Sequence, residues 1–415
     1  MIRRVLPFVA LVAFAVGCAS QVRDTVSDEG PSSPTPGSET PAPTGSTPGF
    51  GGEIGSPTAV VAKLTGTVFA PNGTVPVAGA LVYVAKTKPE PTPQKVFCDS
   101  CVTLAPKTPH AIADEKGQFS LELTEVGTQF IVIQKGGFRR VREIYVSKGE
   151  ERLPATLSIL PGKSDAATGD EVPRMTVVHG AYDEIEASLQ KLGIDPSAIE
   201  IVQSPLVGEA ARAFLTNKTR VDDRHIVFLP CGDFTQPAPN TDLSADKTIQ
   251  DNLRSFVQAG GRLYVTDWHY DFLARTFPGF VSFAGASQSA CSGCEHIAYD
   301  AQASVNDTGL ASWMSAQSLQ TFTLQRNYTN IDRVSPVTDA AGKTVTPRVW
   351  VSGSKAGAPA KPATVSFEQG CGRVLFSTYH TEPFSAQLSP QERALLGVLL
   401  EVAVCNDSSS GVIIK

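Results

Sequence analysis

The chain reads as a multidomain protein in which a small antiparallel β-sandwich precedes a three-layer α/β domain with a parallel sheet. Three observations predict this. Between about residues 59 and 160, short runs alternate apolar and polar residues at period two, with Asn72-Gly73, Lys116-Gly117 and Gly136-Gly137 supplying turns. From about residue 173, apolar strand-length runs alternate with helical patterns, as in strands buried on both faces. The length of 415 residues suits about two or three domains of ~100–200 residues.

Residues 1–18 stand outside the fold. Arg3-Arg4 form a basic start, an apolar core follows, and AVGC closes on small residues before Cys18. This is a secretory signal, too short to span a bilayer. The AVGC ending resembles the bacterial lipobox, which implies cleavage before Cys18 and lipidation of its thiol. The membrane is then one partner, and the expected location is the bacterial cell envelope, at the outer membrane. Residues 19–58 are rich in Pro, Ser, Thr and Gly (GPSSPTPGSETPAPTGSTPGFGG) and bury too little apolar surface to fold, so they read as a disordered tether. A hydrophobic fraction of 41% and a charged fraction of 18% are those of globular protein. A net charge of −6 without a Lys/Arg run argues against nucleic acid as a partner.

Export places the remaining cysteines in an oxidising compartment. Cys98/Cys101 and Cys291/Cys294 have CxxC spacing and read as local disulfides stapling two exposed loops. A four-cysteine zinc site built from both pairs would have to join different domains, so no metal is predicted. Cys371 and Cys405, at the start of a strand and the end of the last helix, are the expected pair for a longer bridge.

In the first domain, residues 59–160, the strand signals are VAKLTGTVFA, GALVYVAK, GQFSLEL and QFIVIQK. Their order and turns resemble the carboxypeptidase regulatory-like, transthyretin-like domain, which implies an accessory or adhesive module. Residues 87–110, with five prolines, form a long loop at a sandwich end. A linker at 162–172 leads to the second domain, residues 173–405.

There MTVVHG, IEIVQS, HIVFLPCG and residues 262–267 are the successive strands. Helices are predicted over 182–192, 208–215 and 249–258, the last closing on Gly260-Gly261, which tolerate a left-handed turn. At Trp268-His269 the chain turns into a helix over 270–276. Residues 277–363 interrupt the alternation with a helix near 310–314 and short strands near 318–324 and 348–352. A strand at 364–367, the run GRVLFSTYH and a last helix over 390–404 complete the domain, and 406–415 are a loose tail.

Parallel neighbours bring their carboxyl ends into one crevice, where such folds place ligands. That crevice gathers His179, Cys231, Gly232, Asp267, Trp268, His269 and His380. Glu382 follows two residues after His380, where a carboxylate can orient an imidazole. An AGG run before the fourth strand and the GRVLFSTYHTE ending resemble the class I glutamine amidotransferase-like superfamily, which implies a flavodoxin-like fold. The AGG strand and turn with His269 are also similar to the trehalose-utilisation-type relatives of that superfamily. In working members a cysteine at the turn after the fourth strand is the nucleophile, and a late His-x-Glu completes the triad. His380 and Glu382 match the latter, but residues 267–269 hold no cysteine or serine. Cys231 lies after the third strand, the wrong strand for that attack. The resemblance and this departure from it therefore imply a non-catalytic binding or structural/adhesive protein with a degenerate amidotransferase-like domain, its partner an envelope protein or a carbohydrate, without a cofactor. The alternative is a hydrolase using His380 and Glu382 with Cys231, or with a water activated by His269.

Overall fold

The computed structural model describes residues 59–98, 104–105, 107–180, 182–203, 208–232, 242–284, 299–327, 329, 331–339, 342–381 and 385–402. They belong to one compact unit, Pro57–Lys415, with a multidomain α/β architecture built on several sheets. The signal, tether and tail, together with Cys18, Cys101, Cys291, Cys294, Glu382 and Cys405, lie outside the described residues.

Two small sheets come first. Ala62–Thr67 pairs antiparallel with Gln118–Leu123 and parallel with Gly149–Arg152. The other sheet runs in the order His110–Ile112, Leu81–Ala85, Gly127–Lys135, Phe138–Val146, Asp170–Glu171. Gln118–Leu123 alternates exposed and buried residues along its whole length, as its period of two predicts. Leu64, Leu121, Val82 and Ile133 from the two sheets share one apolar core. Phe138–Val146 carries no clean alternation, because FRRVREIYV is crowded with charge. Tertiary pairing makes it a strand. Arg139 pairs with Glu171, and Arg140 and Arg142 both pair with Asp170, so the short Asp170–Glu171 strand neutralises them.

The large sheet has nine strands. In spatial order they are Ile199–Gln203, Met175–His179, Ile226–Leu229, Arg262–Thr266, Gly372–Ser377, Lys361–Gln369, Arg348–Lys355, Tyr299–Val305 and Thr323–Asn327. The first five are mutually parallel, and the rest continue antiparallel. The sheet is thus mixed, where the sequence predicted parallel. Residues 277–363 do not merely interrupt the domain, since three of their strands extend its sheet. The switch in direction is a tight hairpin between Lys361–Gln369 and Gly372–Ser377, turning at Gly370 with φ +61°.

Alternate side chains of the central strands enter two different cores. Phe228, Tyr264 and Leu375 point to the face covered by helices Ile185–Lys191, Thr308–Ala316 and Pro390–Val402, in the core shared with the small sheets. Val227, Leu263, Val265 and Phe376 point to the opposite face, under helices Glu209–Leu215, Lys247–Gln258 and Tyr270–Thr276. Lys247–Gln258 shows how sequence sets one of these helices. Asp246 caps it by accepting from the amides of Thr248 and Ile249, and Ile249, Leu253, Phe256 and Val257 form its buried stripe. Among the described residues no helix is long and apolar enough to cross a membrane.

Two of the expected disulfides, Cys98–Cys101 and Cys371–Cys405, are replaced by another. Cys98 is bonded to Cys371, so neither a Cys98–Cys101 staple nor a Cys371–Cys405 bridge forms. The reason lies in where the proline-rich loop runs. His225 Nε2 donates to the carbonyl of Pro93, and the amide of Val96 donates to the carbonyl of Asp222. The chain then crosses Gly260, where φ is +112° and a Cβ would lie 1.8 Å from the carbonyl oxygen of Phe97. These contacts carry Cys98 along the amino ends of the parallel strands to Cys371, which directly precedes Gly372–Ser377. Among the described residues Cys231 is the cysteine outside a disulfide, and it is buried.

Candidate active site

The three central parallel strands each deliver one reactive group. Ile226–Leu229, Arg262–Thr266 and Gly372–Ser377 are immediate neighbours, with Arg262–Thr266 in the middle. Cys231 follows the first, Asp267 the second and His380 the third. One donor atom from each of these three side chains lies within 4.8 Å of the others, and the residues are only 1%, 0% and 5% exposed.

Asp267 occupies the middle of the arrangement. It opens the single turn Asp267–His269 at φ +42°, a left-handed conformation that is costly for a residue with a Cβ. The turn places its carboxylate against His380, with Oδ2 2.8 Å from Nε2. The hydroxyl of Thr329, contributed by the 277–363 segment, donates to Oδ1. Burial raises the pKa of Asp267, partly countered by the hydrogen bond and charge of His380. For His380, burial opposes the charged imidazolium, but the hydrogen bond it donates to Asp267 and the fields of Asp183 and Asp267 outweigh it and the net shift is upward. Gln391 from the last helix donates to the carbonyl of His380 and fixes its backbone.

Cys231 is held from two sides. Its amide donates to Thr266 Oγ1 at 2.7 Å, and its carbonyl accepts from the amide of Tyr182 at 3.2 Å. Gly180 makes the second contact possible, because a Cβ there would lie 2.2 Å from the Cys231 carbonyl oxygen. Gly232 is buried beside it.

The other predicted crevice residues have different places. His269 is fully buried, with its ring edge against Phe272. Burial lowers its pKa to about 4, against the pull of hydrogen bonds to the backbone of Leu229 and Pro230. It therefore holds the segment leading into Cys231 and is not a member of the cluster. Trp268 meets Tyr182 edge-on at 5.3 Å, forming an aromatic pair next to the site. His179 pairs with Glu186 at 3.1 Å and stands apart from the cluster.

The expectation of a domain without a nucleophile is overturned by this geometry. The sequence puts Cys231 on the wrong strand for the family's attack and gives it only to the alternative hydrolase. The strands bearing Cys231 and His380 flank Arg262–Thr266, about 10 Å apart at two strand spacings, and the turns beyond their ends close that gap to bring the donor atoms within 4.8 Å. The carboxylate partner of that histidine is Asp267, which the sequence reading placed in the crevice but not in this role. Thr266, Thr329 and Asp183 were not anticipated. Asp183 had a usable signal, being a carboxylate just beyond the carboxyl end of a predicted strand, whereas Thr329 had none.

A thiol, an imidazole and a carboxylate at this spacing suit nucleophilic catalysis. The same three donor types could also ligate a metal ion. A cleft of about 710 Å³, lined by residues including Trp313, Arg348 and Glu401, contains none of Cys231, Asp267 or His380. Its basic groups are ion-paired, as in Lys135 with Glu401 and Arg373 with Glu368, so we assign the chemistry to the cysteine site.

No family model and no curated protein matches the chain, so the expected carboxypeptidase regulatory-like and degenerate amidotransferase-like domains find no support there. Among solved structures, a thua-like protein from Bacteroides uniformis is similar over 59% of this chain and 97% of its own, at 12% identity and a TM-score of 0.34. A cytoplasmic protein from Salmonella typhimurium is similar over 55% and 98%, at 10% identity and a TM-score of 0.35. A beta-galactosidase from Rahnella is similar over 58% of this chain and 33% of its own, at 12% identity and a TM-score of 0.30. Likenesses this distant leave the function to the geometry of the site.

Proposed function

We propose that the protein is a cysteine-dependent hydrolase of acyl compounds, with Cys231 as nucleophile, His380 as base and acid, and Asp267 as the residue that orients His380. The observation that carries this reading is the convergence of the three buried side chains from three adjacent strands. His380 takes the thiol proton as Sγ forms a bond to the substrate carbonyl carbon. It then returns that proton to the departing amine or alcohol as the carbon–nitrogen or carbon–oxygen bond breaks, leaving a thioester. Water, deprotonated by the same imidazole, attacks the thioester, and Sγ leaves with the proton. Asp267 stabilises the imidazolium formed in both halves.

The supporting fold reading is a β-sandwich in front of a flavodoxin-like three-layer domain, with domain limits at about 59–160 and 173–405. The AVGC sequence and the tether support a lipid-anchored enzyme of the bacterial envelope. The test is hydrolysis of a panel of amide, ester and thioester substrates by the purified chain and by Cys231→Ala. Cleavage by the wild type that is lost in the variant is expected. Cleavage that survives in Cys231→Ala overturns the reading. A stoichiometric metal in the purified protein, lost in Cys231→Ala, would replace it with a metal centre.

A further inference from the structure

We infer that Asp183 is a positioning residue for this site, one buried carboxylate that sets all three reactive groups in register. The inference rests on the cysteine-hydrolase reading and adds to it. Asp183 is 1% exposed and belongs to the turn after Met175–His179, the strand beside Ile226–Leu229. None of its contacts is with a reacting atom. Each instead grips a neighbour of one.

Oδ2 accepts from Thr266 Oγ1 at 2.8 Å, and Thr266 directly precedes Asp267. Oδ1 accepts from the amide of Thr381 at 3.0 Å and from the Thr381 hydroxyl, and Thr381 directly follows His380. Thr266 Oγ1, while donating to Asp183, accepts from the amide of Cys231 at 2.7 Å. One carboxylate therefore holds the side chain beside Asp267, the backbone beside His380 and, through that same hydroxyl, the amide of the nucleophile itself.

The polarity of this chain of bonds is set by Asp183. Thr266 has one hydroxyl proton, and a carboxylate can only accept it. The oxygen lone pairs are then left to face the Cys231 amide. Replacing the carboxylate by an amide group lets the side chain donate instead, which turns the hydroxyl proton towards the Cys231 N–H and breaks that contact. Bonds to an ionised acceptor are the stronger kind, and bonds in series reinforce one another. The field of Asp183 also acts on His380 in the same sense as Asp267 does. The carboxylate spans the loops after four strands at the carboxyl end of the sheet.

The experiment measures the rate of Cys231 alkylation by iodoacetamide in the full chain, located by peptide mass mapping so that other thiols do not contribute. Asp183→Asn, Thr266→Val, the double variant and His380→Ala are compared with wild type, and thermal melting is recorded for each. The expected result is a fall of about tenfold or more in Asp183→Asn and in Thr266→Val. The double variant should be no slower than the slower single one, since both act through the same bonds. Thr266→Ser, which keeps the hydroxyl, should restore most of the rate. If His380→Ala slows alkylation while Asp183→Asn and Thr266→Val leave it at the wild-type rate, Asp183 is a structural residue and the inference is overturned. If His380→Ala itself alkylates at the wild-type rate, the underlying hydrolase reading fails. Should Asp183→Asn not fold, the Thr266→Val and Thr266→Ser pair decides between the same outcomes.

Discussion

Asp267 Oδ2 lies 2.8 Å from His380 Nε2, at the ends of two adjacent parallel strands, with the Cys231 side chain close to both. This pairing makes the imidazole a base of fixed orientation, because the carboxylate selects which ring nitrogen carries a proton. Asp267→Asn keeps the shape of the side chain and removes the charge. Removing the charge from an orienting carboxylate of this kind reduces turnover by about 10²–10⁴-fold. The rate of Cys231 alkylation at neutral pH should fall less, by about tenfold or more, because an unactivated thiol keeps a few per cent of thiolate. An Asp267→Asn variant that alkylates within a factor of about two of wild type would show that the pair is only structural.

Gly180 is the point where two loops touch. A Cβ at this position would lie 2.2 Å from the carbonyl oxygen of Cys231 and 2.8 Å from that of Pro230, both backbone atoms that cannot swing aside. Gly180→Ala is expected to push the Cys231 loop away from Asp267 and His380. Overpacking of this size costs about 1–3 kcal/mol of stability, readable by chemical denaturation. Alkylation of Cys231 should slow in the same variant. Unchanged alkylation together with unchanged stability would mean that the loop relaxes without disturbing the thiol.

His269 makes a prediction about acid. Its pKa in the folded protein is about 4, against an ordinary value of 6.5, because burial opposes the charged ring. As pH falls from 6.5 towards 4, the unfolded chain binds a proton that the folded chain refuses. Stability is therefore fully present above pH 6.5 and is lost on acidification, by up to about 3 kcal/mol from this one group. His269→Gln, which does not titrate, should show a shallower loss of stability over that window. The slope that remains includes His225, whose pKa burial also lowers. A slope identical to wild type would remove His269 from the account.

The parts of the site that were legible in the sequence are those set by local pattern. His380 directly follows an unbroken apolar strand, and Asp267 follows another, so both could be placed at a carboxyl end from periodicity alone. Which carboxylate His380 uses is a question of strand order. Sequence proximity favoured Glu382, whereas the sheet puts Asp267 on the adjacent strand. Cys231 is visible in the sequence but enters only the alternative hydrolase, for a related reason, because lateral spacing in a sheet leaves no trace in the chain. The same holds for the antiparallel half of the large sheet. Arg348–Lys355 and Lys361–Gln369 look like isolated strands until their register against each other is known. Phe138–Val146 failed for a different reason, since its arginines are neutralised by Asp170 and Glu171 from a distant segment.

The disulfide between Cys98 and Cys371 should stabilise the fold without touching the chemistry. It joins residues 273 apart in sequence, so it removes much of the freedom of the unfolded chain. Bridges of this kind contribute about 2–4 kcal/mol. Both cysteines are exposed, which leaves the bond open to a reductant. It lies at the amino ends of the parallel strands, whereas Cys231, Asp267 and His380 lie at the carboxyl ends. Cys98→Ser/Cys371→Ser is therefore expected to unfold at lower denaturant concentration while Cys231 alkylates at the wild-type rate in native conditions. The Pro93 and Val96 contacts remain in that variant, so the loop should detach only as the protein unfolds. An unchanged denaturation midpoint would show that those contacts alone hold the loop. A change in Cys231 alkylation below the unfolding transition would show instead that the two ends of the sheet are coupled.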